Sequence, residues 1–185
     1  GLRANDEGAR RLALAHWVTD RDNPLTWRSI VNRVWQFHFG RGLVDTPNDF
    51  GRLGSPPSHP ELLDRLAAAF RDSGGSLKAL HRAILLSETW QQVVDGDAES
   101  ARLDAGNRLL AHQNRRRLDA ECFRDLVLSV SGRLDPSLGG PPEQQFRVED
   151  DHSPRYLYSD FDVDQGRRRS LYRMLVRSVP DPFFE

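Results

Sequence analysis

The side chains best equipped for chemistry lie between residues 23 and 59. In the run NPLTWRSIVNRVWQFHFG, which starts at Asn23, Arg28, Asn32 and Gln36 fall at i, i+4 and i+8, one row of a helix, with Arg33 beside it. A guanidinium grips a carboxylate, sulfate or phosphate through two parallel N–H bonds, and Trp27 or Trp35 offers a flat face on which a sugar ring can stack. Arg28, Asn32, Arg33, Asp49 and His59 therefore form a candidate carbohydrate- or anion-binding set. His59 with Asp49 is its best acid–base pairing. The competing reading is structural: Arg33 pairs with Asp49 and pins the following loop to the helix, since ion-pair networks are commoner than ligand sites. The pairing is the expectation. No complete catalytic constellation is present, so no reaction is assigned.

Elsewhere the chemistry is thinner. The six histidines are scattered without the close spacing of metal ligands, and the single cysteine, Cys122, excludes an internal disulfide. No metal or cofactor is expected in this chain. Asp160, Asp162 and Asp164 alternate as in a calcium loop, but Gly166 comes one residue late and Leu171 stands where a glutamate is needed. The late arginines, at 167 to 169, 173 and 177, follow an acidic stretch that is their natural partner. Arg117, Glu121, Arg124 and Asp125 suit pairing along and between helices.

Positioning these groups requires helices. Asn23 is a good N-cap, Pro24 suits the first helical position, and Gly40 is placed to stop the helix. Residues 8–19 make an earlier amphipathic helix carrying Leu12, Ala15 and Val18. Asp45 to Pro57 reads as a long loop anchored by Phe50. Ser58 and Glu61 have the spacing of a capping box, and two helices follow, separated by Gly74-Gly75 and expected to pack antiparallel. Residues 93–105 read as a disordered excursion, Asn107 to His112 as a short helix, and Arg115 to Arg117 as the opening of a last long helix that Gly132 stops. Leu171 to Val176 suits a strand or a short helix. The expected core is Trp27, Ile30, Val31, Val34, Leu62, Leu66, Phe70, Leu80, Ile84, Leu118, Cys122 and Leu126.

The fold class is thus mainly α: a bundle-like helical domain over residues 1–134, with a loop-rich, partly β segment at 135–185 packed on it. A net charge of −1, from 26 basic and 27 acidic residues, gives no global attraction for nucleic acid. No apolar run approaches the roughly 20 residues that span a bilayer, and residues 1–11 lack the apolar core of a signal peptide. A soluble excerpt of a longer protein is expected.

One composite pattern is more specific than its pieces. Asn32-Arg33-Val34-Trp35, Phe39-Gly40-Arg41-Gly42-Leu43-Val44, Asp49-Phe50-Gly51, Ser58-His59-Pro60-Glu61, Asn107-Arg108, Arg116-Arg117-Leu118, Arg124-Asp125 and Arg168-Arg169-Ser170-Leu171-Tyr172 follow in order. Together they resemble the planctomycete-type domain of unknown function found near the C-terminus of large cytochrome-c-associated proteins. The resemblance implies a non-catalytic structural or interaction module that docks other domains of its own polypeptide or a partner protein. It also implies haem c in a neighbouring domain and an exported or cell-envelope location, and it supplies no established activity.

Overall fold

The structure, a computed structural model, describes residues 6–149, 155–158 and 166–183. It is mainly helical, as expected, and divides into two compact units, residues 1–116 and 117–185. The expected core placed the last long helix with the others. That helix groups instead with the C-terminal segment.

In the first unit α1 (Glu7–Thr19) leads into α2 (Pro24–Phe39), followed by α3 (Pro60–Asp72), α4 (Leu77–Leu85) and a short α5 (Ala98–Leu103). The ends of α2 are set locally. Asn23 Oδ1 accepts from the Leu25 N–H, Pro24 occupies the first turn, and Gly40 closes the helix at φ 82°, a conformation open to glycine. Asn23 Nδ2 donates to Trp17 O and Thr26 Oγ1 to Val18 O, tying the end of α1 to the start of α2. No residue of α1 is buried, so its apolar stripe faces solvent.

The core forms where α2 packs on α3 and both touch α4. Val31, Val34, Trp35 and Phe39 of α2 meet Leu63, Ala67 and Phe70 of α3 and Leu80 and Ile84 of α4, with Leu43 and Val44 dropping in from the loop. Trp35 and Phe39 stack with centroids 4.2 Å apart, and Trp27 meets Phe70 edge-on. Trp27, Ile30, Leu62 and Leu66 line the margin, so the buried face of α3 is centred on Leu63. Leu63→Ala is expected to cost about 2–5 kcal/mol in chemical denaturation, and Leu66→Ala less.

Three local readings are corrected. Ser58 and Glu61 make no capping box: α3 begins at Pro60 with His59 in the cap position and no side-chain cap bond. Ser58 is held elsewhere, its N–H bonding to Leu43 O at 2.8 Å. The acidic stretch contains α5, capped by Asp97 through the Ser100 N–H. Asn107 to His112 is a run of turns, with Asn107 and Leu110 at positive φ.

In the second unit α6 (Ala120–Val130) is capped by Asp119 and packs on a 3-10 turn, Ser170–Tyr172. An antiparallel hairpin pairs β1 (Arg147–Glu149) with β2 (Arg155–Leu157), and Phe146 meets Tyr156 and Tyr158 edge-on. The one buried residue of α6 is Arg124, while Leu118, Cys122 and Leu126 are exposed and leave the expected core. The helix covers its charged face, because the 3-10 turn offers it hydrogen-bonding groups rather than apolar side chains. Asp160, Asp162 and Asp164 lie outside the described residues.

Candidate functional site

α2 holds Asn32 at the centre of the first unit with none of its surface exposed. A buried primary amide must find partners for both its ends. Asn32 Oδ1 accepts from the Val44 N–H at 2.8 Å, and Nδ2 donates to Val44 O at 3.0 Å. This two-point clasp folds Gly40 to Val44 back onto the helix that precedes it. Gly42 is required there, since a Cβ would sit 2.7 Å from Val44 O and 2.8 Å from the Asn32 amide.

Around the clasp the other polar groups are also engaged. Arg41 grips Asp45 through Nε at 2.5 Å and Nη2 at 2.8 Å, and Arg108 stands 3.5 Å from the same carboxylate. The hydrogen bond from Arg41 holds the Asp45 carboxyl below the usual range and the Arg41 guanidinium above its own. Asn107, also buried, builds the facing loop: its Oδ1 accepts from the Ala111 N–H, and its Nδ2 donates to His112 O and Asn114 Oδ1. Asn114 in turn donates to Phe39 O at 3.2 Å. Arg116 donates to Phe37 O and His38 O, satisfying carbonyls that the end of α2 leaves open.

The five candidate residues end on separate partners. Arg28 pairs with Asp64 of α3, Asn32 clasps Val44, and Arg33 donates to Asn48 Oδ1 at 2.7 Å. Asp49 Oδ1 accepts from the Gly51 N–H, and His59 Nδ1 lies 2.9 Å from Ser58 Oγ. The expected Arg33–Asp49 ion pair is therefore corrected to Arg33–Asn48. The loop needs no such pin, because it fastens itself: Thr46 Oγ1 donates to Asp49 O and accepts from the Ser55 N–H, and Gly54 bonds to Gly51 O. In a double-mutant cycle, Arg33→Ala and Asp49→Ala are expected to add with a coupling below about 0.5 kcal/mol. Arg33→Ala alone, at an exposed position, is expected to cost less than about 1 kcal/mol.

The space beside these groups is small. A slot lined by Trp35, Leu43, Ser58, Asn107, Leu110 and Asn114 has a volume of about 20 Å³, room for roughly one water and no sugar or organic acid. A larger hollow lies in the second unit: about 430 Å³ beside Glu121, Cys122, Asp125, Ser170, Arg173 and Asp181. At its edge Ser170 donates through N and Oγ to Asp125 Oδ1, at 2.7 and 2.8 Å. Arg124 donates to Gly166 O, Arg168 O and Ser170 Oγ. Arg173 pairs with Asp181, and burial lowers the Arg173 pKa to about 10. Arg168 lies 3.7 Å over the Tyr172 ring and bonds to Gly139 O and Pro141 O, so this late arginine serves carbonyls.

A family model described as PSD1, protein of unknown function (DUF1553), matches residues 10–185. The chain belongs to this family. The resemblance read from the composite motif is thereby borne out, and no curated protein and no solved structure matches. In this PSD1 domain the motif residues have physical roles that the pattern alone left open. Asn32 and Gly42 close the clasp, Asn107 shapes the facing loop, Arg116 caps α2, and the Arg124-Asp125 pair seats Ser170. The parts played by Arg116 and Ser170 were missed as single residues, because each acts on a carbonyl or a carboxylate distant in sequence, and that of Asn107 because its partners lie in a run of turns rather than a helix.

Proposed function

We propose that this PSD1 domain is a non-catalytic interaction module that docks other domains of its own polypeptide. The observation that supports it is the engagement of the polar groups of the motif in the fold, beside a slot too small for an organic ligand. Its docking face is α1, where Leu14, Trp17 and Val18 remain exposed on a helix whose C-terminal end is tied to α2. Lone exposed apolar residues are ordinary, but Leu14, Trp17 and Val18, at i, i+3 and i+4, share one face of the helix and make a patch suited to a partner. The longer polypeptide, a haem c domain within it and an exported or cell-envelope location belong to the same proposal. They rest on the resemblance of the composite motif, and any redox role would lie in the haem domain.

The test is binding in trans between this chain and the remaining domains of its polypeptide, followed by calorimetry and size-exclusion chromatography. Association that is lost in Leu14→Arg and Trp17→Arg, with helix content unchanged, is the expected result. No association, or association indifferent to both substitutions, would overturn it. A ligand-binding role has in its favour two hollows of the second unit, about 430 Å³ beside Ser170 and about 530 Å³ beside Arg133, Asp135 and Glu143, whose sizes fall in the range of small-molecule sites.

A further inference from the structure

His38, in the last turn of α2, and His81, in α4, bring their rings together with Nε2 of the first 2.7 Å from Nδ1 of the second. The rings meet edge-on at 5.0 Å, and Trp90 closes over His38 at 5.2 Å, so the contact is partly shielded from water. A hydrogen bond between two imidazoles needs one nitrogen to donate and the other to accept. When both rings are cationic every ring nitrogen carries a proton. The acceptor is gone, and two positive charges face each other at contact distance.

We infer that His38 and His81 form a single-proton latch that joins the C-terminal end of α2 to α4 near neutral pH and opens in acid. The groups that act on His38 from the elements around it are His81 of α4 and Arg116 of the segment after α5. Arg116 bonds to the carbonyl of His38 itself. Burial, His81 and Arg116, in that order, all lower the His38 pKa from its ordinary 6.5. The sign follows from linkage. The folded chain keeps His38 neutral where the unfolded chain already binds a proton, so the latch contributes fully above 6.5 and its contribution is lost as pH falls below that value. What opens is the end of α2, where Phe37 and His38 carbonyls receive Arg116 and where the clasped loop begins.

The test is imidazole NMR on the full chain between pH 8 and 5, with amide exchange read at Phe37 to Gly40. In the wild type the latch predicts one protonated and one bare nitrogen across the contact at pH 8. It also predicts a His38 midpoint below 6.5 and faster exchange at the end of α2 as His38 titrates. In His81→Gln, which keeps a hydrogen-bonding group but removes the second charge, the His38 midpoint is expected to rise toward 6.5, and each unit of that rise is a tenfold change in protonation equilibrium. Should that variant fail to fold, the wild-type spectrum decides. Two rings with no proton shared between them, or a His38 that titrates at its ordinary value, would overturn the latch.

Discussion

Replacing Asn32 by alanine is expected to destabilise the first unit by about 3–5 kcal/mol. Both ends of the Asn32 amide bond to the backbone of Val44, and all three groups lie out of contact with water. Alanine strands the Val44 N–H and C=O together. Each orphaned group costs about 1–3 kcal/mol, to which the lost packing of a fully buried side chain adds. Asn32→Asp keeps the acceptor for the Val44 N–H but turns a carboxylate oxygen toward Val44 O, so it is expected to be nearly as damaging. Asn32→Leu restores volume without hydrogen bonds and should rescue little. Urea unfolding followed by the fluorescence of buried Trp35 measures these differences. A ligand-binding asparagine would behave otherwise: its alanine variant would keep its stability and lose only the ligand.

Arg124→Met is expected to loosen the second unit by about 2–4 kcal/mol while the protection of buried amides in α2 and α3 stays at the wild-type level. Arg124 is 8% exposed, and its guanidinium reaches two backbone carbonyls and the Ser170 hydroxyl. Methionine fills much of the same volume but leaves those acceptors unpaired in a site that water does not reach freely. The neighbouring Asp125 also loses the cation 3.6 Å away, though it keeps the Ser170 bonds. Arg124→Lys is expected to recover only part of the loss, because an ammonium cannot spread across three acceptors as a planar fork does. Hydrogen exchange at Arg168 and Ser170 reads the effect where it occurs.

What could be read directly from the sequence was local. Asn23, Pro24 and Gly40 fix the ends of α2 through contacts within a few residues, and the spacing of Val31, Val34 and Trp35 shows which face is buried. The capping box at Ser58 failed for a long-range reason, since Leu43 O takes the Ser58 N–H and Pro60 starts the helix one residue later than the pattern implies. The stripe of Leu118, Cys122 and Leu126 was real as a pattern, but periodicity does not say which face a helix covers when the charged face finds better partners. Arg33 and Asp49 illustrate a finer limit. A reach of one residue separates Asn48 from Asp49, and nothing in residue type distinguishes the acceptor that the backbone turns toward the helix.

The reading of the Asn32 region as a fastening rather than a binding site is tested most directly at one amide. Val44 lies in a loop without regular secondary structure, yet its N–H is buried against Asn32 Oδ1. Native-state hydrogen exchange is expected to show this amide opening only with the unit as a whole, at the free energy of Val31 and Ile84 in the core helices. Exchange of Val44 at the rate of an unprotected loop amide, with those helices still protected, would contradict the clasp and return Asn32 to the candidates for ligand binding.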